Sequence, residues 1–228
     1  MKWTDKIEVT NEDNMVLMAR YPDNYFDLAI VDPPYGIGAG KMQLGTGKKR
    51  QFKQNKNWDS KTPQQNYFDE LKRISKNQII WGGNYFTEFL KPSRCWIFWD
   101  KMTDGFSESY ASGELAYCSF DGLLKQFTYK QQGNYVGFEN NITTISSNAN
   151  LKKIHPTQKP VALYKWLLDK YAQQGDKILD THLGSGSIAI ACHELGFEMT
   201  ACELDAEYYE AAHKRFQQQT AQLRLNLA

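Results

Sequence analysis

The run DLAIVDPPY, from Asp27 to Tyr35, is the stretch on which the rest of the chain hangs. An apolar run of strand length breaks on two prolines and leaves a carboxylate and an aromatic ring side by side. Proline fixes φ, has no N–H to donate and drives its predecessor out of the helical region. Asp32-Pro33-Pro34-Tyr35 is therefore a stiff strand terminus whose carbonyls are left free. A planar, base-sized group stacked on Tyr35 would offer an exocyclic amine to two acceptors, the Asp32 carboxylate and the Pro33 carbonyl. For Asp-Pro-Pro alone, a surface turn with a helix-capping Asp is an equal reading; the remainder of the chain decides against it.

Immediately downstream, residues 36–61 are rich in glycine and lysine, with Lys41, Lys48, Lys49, Arg50, Lys53, Lys56 and Lys61 set against Asp59. A loop of that length inside a compact domain is usually functional or disordered. Placed next to the tetrapeptide, this mobile basic loop is suited to closing over a polyanion and releasing its counterions. The net charge is only +1, so contact with nucleic acid has to come from such a local face. Upstream, a short strand and the acidic turn Asn11-Glu12-Asp13-Asn14 lead into an amphipathic helix through Met15, Leu17, Met18 and Tyr21, and Asp13 suits its N-cap.

Beyond the loop, Tyr67, Leu71 and Ile74 are spaced for one buried helix face. Gln78–Trp81 reads as a strand, followed by Gly82-Gly83 and a second helical step through Phe86, Phe89 and Leu90 that Pro92 stops. Cys95–Trp99 and Glu114–Phe120 are strands as well. Continuously apolar strands separated by helices predict a mostly parallel sheet covered on both faces. Residues 121–152 differ: Lys125, Phe127, Tyr129, Lys130, Tyr135 and Phe138 are interleaved with Gln, Asn and Gly. Such material suits the reading of base edges, and is equally ordinary for a small β-rich lobe.

The last third carries a second constellation. His155-Pro-Thr-Gln-Lys-Pro160 is a stiff segment that starts a helix; Asp176–Asp180 is a strand; Thr181-His-Leu-Gly-Ser-Gly-Ser187 is a glycine-rich turn into another helix. The next strand ends on Glu203, about 20 residues past the turn, the spacing of a βαβ nucleoside site whose second acid holds ribose hydroxyls. The turn lacks both GxGxxG and a Gly-Lys-Ser/Thr end, so a dinucleotide and a P-loop are disfavoured. Without a pyrophosphate to hold, it suits a cofactor with an amino-acid tail.

The four cysteines (Cys95, Cys118, Cys192, Cys202) lie far apart without CxxC spacing, which predicts buried thiols rather than a zinc site or a disulfide framework. The N-terminus has no apolar leader and no stretch reaches membrane-span length, so a single cytoplasmic domain over 1–228 is expected.

Taken together, the chain resembles the S-adenosylmethionine-dependent DNA amino-methyltransferases of the permuted β group, in which Asp-Pro-Pro-Tyr precedes the cofactor half. The resemblance rests on Asp13, Asp32–Tyr35, the strand series, His155–Pro160, Asp180–Ser187 and Glu203, and it looks most like the small solitary or phage-borne adenine enzymes. It implies an α/β, Rossmann-like sheet with helices on both faces and one antiparallel edge strand. Asp32, Pro33, Pro34 and Tyr35 would be catalytic, with Asp32 also beside the cofactor. Asp180, Gly184, Ser185 and Gly186 would cradle the methionine part and Glu203 the ribose. Asp13 would accept from the adenine amine, and His155 and Lys159 would pack near the cofactor, Lys159 facing its carboxylate. The lysines and arginine of 36–61, with Lys125 and Lys130, would contact double-stranded DNA from which the target base is flipped; no metal is implied, and a homodimer is left open. The family turn often has Pro-Phe where this chain has Thr181-His182. The family leans to Asp at the first tetrapeptide position for adenine and Ser for cytosine, which makes adenine N6 the expected target and cytosine N4 the alternative. More distant alternatives are a non-catalytic DNA-binding relative, methylation of RNA or a protein amide, and a dehydrogenase-type nucleotide enzyme.

Overall fold

A computed structural model describes residues 1–39, 59–101, 111–129, 131–132, 135–137, 143–145, 154–155 and 157–225. The strands are β1 (Ile7–Thr10), β2 (Phe26–Val31), β3 (Ser75–Trp81), β4 (Trp96–Asp100), β5 (Gly113–Cys118), β6 (Lys125–Thr128), β7 (Gln131–Gln132), β8 (Tyr135–Gly137), β9 (Thr143–Ile145), β10 (Lys177–Asp180) and β11 (Glu198–Cys202). The helices are α1 (Asn14–Met18), α2 (Gln65–Ile74), α3 (Val161–Tyr171), α4 (Ser187–Leu195) and α5 (Ala206–Leu225). Eight strands form one sheet in the order β1-β11-β10-β2-β3-β5-β4-β6, and β7, β8 and β9 form a separate antiparallel sheet.

Side chains alternate between the two faces of a strand, and each face here has its own apolar cluster. Ile178, Met199, Ala201, Ile79 and Trp81 pack on one side with α3, α4 and Phe216 of α5. Leu179, Cys202, Ile80, Phe26 and Val31 pack on the other with Leu17 and Met18 of α1 and Phe68, Leu71 and Ile74 of α2. Burial on both faces is why these strands read as continuous apolar runs. All four cysteines are buried free thiols.

Three expectations are corrected. The antiparallel strand is β5, and it lies inside the sheet between β3 and β4 rather than at the edge. The strand β6, whose Lys125, Gln126 and Thr128 are exposed and only Phe127 buried, pairs parallel to β4 and closes that side. The step after β3 is one 3-10 turn, Gly83–Tyr85, not a helix, because Gly82 adopts φ +67 and turns the chain at once. The first helix is only Asn14–Met18, ending before Tyr21.

Candidate active site

The chain leaves β10 toward β11 on one side and leaves β2 toward β3 on the other, while β10 and β2 themselves pair. A crevice at the carboxyl ends of two such strands is where ligands bind in open α/β sheets. A cavity of about 370 Å³ opens there, within the usual range for small-molecule sites. Its wall includes Asp13, Asp32, Pro34, His155, Lys159, Gly184, Ser185 and Glu203, so most of the catalytic and cofactor residues expected from sequence converge on it, while Pro33 and Tyr35 stand outside the wall.

The β10 half is built around the glycine turn. Asp180 is buried under the turn and accepts from the His182 backbone N–H (2.9 Å). Gly184, at φ +53, donates its N–H to Glu203 Oε2 (2.8 Å), while Glu203 Oε1 accepts from Asp205 N–H (2.9 Å). The acid at the end of β11 therefore fixes the turn while presenting its carboxylate to the cavity. From α5, buried Arg215 donates to the Ser185 carbonyl (2.7 Å) and to Ser187 Oγ (2.9 Å), and Ser187 Oγ donates to the Lys159 carbonyl (2.7 Å). Gly186 (φ +71) starts α4 against Ala212, which a Cβ would approach to 3.3 Å. Asp180 and Gly186 thus shape the turn from behind, and Gly184 and Ser185 face the cavity.

The β2 half is a network of charges. The Asp32 carboxylate accepts from the Tyr35 hydroxyl at Oδ1 (2.6 Å) and from Lys159 Nζ at Oδ2 (2.5 Å). Lys159 Nζ also lies 3.0 Å from Glu114 Oε2, and Lys101 Nζ lies 2.5 Å from Glu114 Oε1. The Lys159 side chain is only 1% exposed, against 17% for Asp32, so this ammonium is committed to two carboxylates rather than to solvent. The Tyr35 ring stacks on Tyr85 at 5.0 Å and 14° between planes, and Tyr85 is 47% exposed.

Burial sets the protonation states, modified by these neighbours. It pushes Asp32 up, with Lys159 opposing and Glu114 assisting. It pushes Glu114 up too, but Lys159 and Lys101 reverse the effect and hold it at about 2. Burial alone would lower Lys159; Asp32 and Glu114 raise it above its ordinary value. Asp180 is pushed up to about 8, mainly by burial and further by Asp32 and Glu203, despite the bond from His182. Burial brings His182 down to about 3, so its imidazole is neutral, bonded to Asn14 Nδ2 (3.0 Å) and Thr181 Oγ1 (2.9 Å).

Asp13 caps α1, accepting from Met15 N–H (2.8 Å), and lines the cavity as well, so the capping and ligand readings are compatible. His155 lies edge-on to Tyr208 (4.3 Å) with Nδ1 near Thr157 Oγ1 (3.0 Å). Lys125 is exposed on β6; Lys41, Lys48, Lys49, Arg50, Lys53, Lys56 and Lys130 lie outside the described residues. Sequence reading missed Glu114, Lys101, Arg215 and Tyr85. Arg215 had a detectable signature, a cation between Ala212 and Phe216 on the apolar face of α5, whereas Glu114 looked like any acid at the start of a strand.

The family model for N6/N4 DNA methylases matches residues 77–214, a stretch that contains Glu114, Lys159, the glycine turn and Glu203; Asp32–Tyr35 lies upstream of it. A type II methyltransferase, M.HpaI of Haemophilus parainfluenzae, is 27% identical over 226 residues, covering 85% of this chain and 68% of the relative. Among solved structures, the M1.HpyAVI–SAM complex superposes with a TM-score of 0.55 at 18% identity, covering 92% of this chain and 98% of that one. The PvuII DNA methyltransferase, described as cytosine-N4-specific, gives 0.59 at 13% identity, covering 93% and 87%.

Proposed function

This chain belongs to the N6/N4 DNA methylase family, and we propose that within it the protein transfers the methyl group of S-adenosyl-L-methionine to the exocyclic N6 of adenine in double-stranded DNA. The observation that carries the proposal is that Asp32 and Pro34, from the Asp32-Pro33-Pro34-Tyr35 terminus, line the same cavity as Glu203 and the glycine turn. Asp as the first residue of that terminus favours adenine. Cytosine N4 is the second reading, since it too is a conjugated exocyclic amine and one structural neighbour is described as specific for it.

The residues present fit the cofactor. Glu203 presents a carboxylate for ribose hydroxyls, and Asp13 presents another for an adenine amine. Gly184 admits backbone close to a ligand: a Cβ there would find nothing nearer than 3.9 Å, and its φ of +53 suits glycine. When bound, the cofactor supplies a sulfonium methyl group open to in-line displacement.

An exocyclic amine is a poor nucleophile because its lone pair is delocalised into the ring. Asp32 and the Pro33 carbonyl, by accepting its two N–H bonds, localise the pair on nitrogen. Methyl transfer to the amine would leave positive charge on its nitrogen; Asp32 would stabilise that charge and accept the released proton. Alignment in the crevice supplies several kcal/mol of the rate through effective molarity. Tyr35 would stack on a base taken out of the duplex, since the cavity cannot be reached by a base inside the helix. The basic residues of 36–61 and Lys125 and Lys130 would hold the DNA backbone, with recognition of the site around 121–152.

The test is methyl transfer from labelled S-adenosylmethionine to unmethylated DNA, followed by digestion to nucleosides and mass spectrometry. Label on N6-methyladenine is expected, and Asp32→Ala should abolish it while cofactor binding persists. Label on N4-methylcytosine would overturn the base assignment alone; near-normal turnover in Asp32→Ala would overturn the mechanism.

A further inference from the structure

We propose that Glu114 is a positioning residue for the transfer step, acting on Asp32 through Lys159 under the control of Lys101; the proposal deepens the reading above and rests on it. The fold places Glu114 there for a topological reason. Because β5 runs antiparallel, its first residues lie at the carboxyl ends of β3 and β4, where the site is, and Glu114 sits opposite Trp99 in register. Lys101 follows β4 directly, anchored by its N–H to the Ser112 carbonyl (3.0 Å). A chain of contacts results: Lys101 to Glu114 Oε1, Glu114 Oε2 to Lys159, and Lys159 to Asp32 Oδ2.

Asp32 is asymmetric as a consequence. Oδ2 is tied to an ammonium that is itself held from the far side, and among the described residues Oδ1 meets only the Tyr35 hydroxyl, a neutral donor that an amine N–H would replace one for one. The Lys159 charge is shared between two carboxylates. Were Glu114 neutral, the whole ammonium would bear on Asp32, making it a weaker base and pulling Nζ toward it. Were Lys101 absent, the negative charge of Glu114 would bear more strongly on its surroundings. Among the described residues, the other titratable groups that interact with Asp32 are Tyr35 beside it, Tyr67 from α2, Tyr164 from α3 and Asp180 from β10. Burial keeps the three phenols neutral and pushes Asp180 up to about 8. Glu114, held at about 2 by Lys159 and Lys101, keeps its charge against the two ammoniums.

The test measures single-turnover methyl transfer against pH for the full chain, Glu114→Gln and Lys101→Met, with cofactor affinity measured by equilibrium titration on the same samples. Glu114→Gln should move the acid limb down by roughly one unit and lower the plateau about tenfold. Lys101→Met should move the limb up. Affinity should remain within about twofold in both, as expected for groups that act on Asp32 rather than on the turn. Opposite shifts are not produced by general loosening. Limbs that coincide with wild type, or that move the same way in both variants, overturn the proposal. Should Glu114→Gln fail to fold, Lys101→Met decides alone: an upward limb supports the role and an unmoved one refutes it. Absence of transfer by the unmodified protein would instead refute the methyltransferase reading itself.

Discussion

Gly82 allows the placement of Tyr35 to be tested with one methyl group. It follows β3 with φ +67 and ψ 22, and a Cβ built on it would lie 2.2 Å from Cε1 of Tyr35 and 2.6 Å from Cδ1 and Cζ. Gly82→Ala therefore carries two costs. A left-handed L-residue costs about 1–2 kcal/mol. The ring must also move away, and it then loses its stack on Tyr85 and its bond to Asp32. An aromatic pair is worth about 0.5–1.5 kcal/mol and a hydrogen bond to a charged group about 1.5–3 kcal/mol. If water replaces part of the lost bond, a destabilisation of about 3 kcal/mol remains, tolerable for a domain with about 5–15 kcal/mol in hand.

Urea unfolding would read that loss as a lower midpoint at unchanged slope. Gly82 does not touch the glycine turn, so cofactor affinity should hold while methyl transfer falls at least about tenfold, an effect confined to the transition state. The decisive comparison is a double-mutant cycle with Tyr35→Ala. Once the ring is gone, Gly82→Ala should cost only its backbone strain, about 1–2 kcal/mol. Equal costs in both backgrounds would mean that Tyr35 does not lie on Gly82, and the packing of the tetrapeptide against the end of β3 would be refuted.

Asp180→Asn tests the buried acid under the turn. Its folded value of about 8 lies above the ordinary 3.8, so the folded protein holds this proton more tightly and its stability declines as pH rises between those values, by at most about 1.4 kcal/mol per unit. Melting curves from pH 5 to pH 9 should show that decline in wild type and a flatter profile in Asp180→Asn. Arg215→Met removes the donor to the Ser185 carbonyl and Ser187 Oγ; titration calorimetry should find cofactor binding weakened about tenfold, with stability lower by about 1–3 kcal/mol. Asp59 accepts from the N–H groups of Gly36 (2.9 Å) and Ala39 (2.7 Å) directly after the tetrapeptide, so Asp59→Ala strands both donors and should cost about 2–4 kcal/mol in a denaturant titration.

The parts of the site legible in sequence were those in which one local segment carries its own chemistry. Asp32–Tyr35, Gly184-Ser185 and Glu203 each stand at the end of an apolar strand, and strand ends on one side of a parallel sheet converge without further information. Glu114 and Lys101 were illegible because their meaning is a contact. Nothing near Glu114 in the chain announces that an antiparallel strand returns it to the carboxyl edge, or that Lys159 will point at it across the site. The same limit hid the sheet order: β6 buries only Phe127, too little for its pattern to mark a strand beyond β4. The helix expected after β3 failed for a different reason, since periodic Phe86 and Phe89 outweighed Gly82 and Gly83, whose backbone freedom decided the matter.

Buried charges need a reason, because apolar replacements of buried ion pairs are often neutral or stabilising. Asp32 and Glu114 balance Lys159 and Lys101, which lowers the penalty but does not by itself make the quartet a source of stability. What it supplies is position. Asp32 is already paired at both oxygens, so on the proposed mechanism an arriving amine would exchange its N–H for the Tyr35 hydroxyl without stripping a bare carboxylate of water. Donors and acceptors fixed before the reaction require little reorganisation during it, which is the condition under which electrostatic stabilisation is most effective. On the proposed mechanism Lys159, 3.0 Å from Glu114 on its far side, would keep that arrangement in register while Tyr35 exchanges its bond to Asp32 for contact with the base.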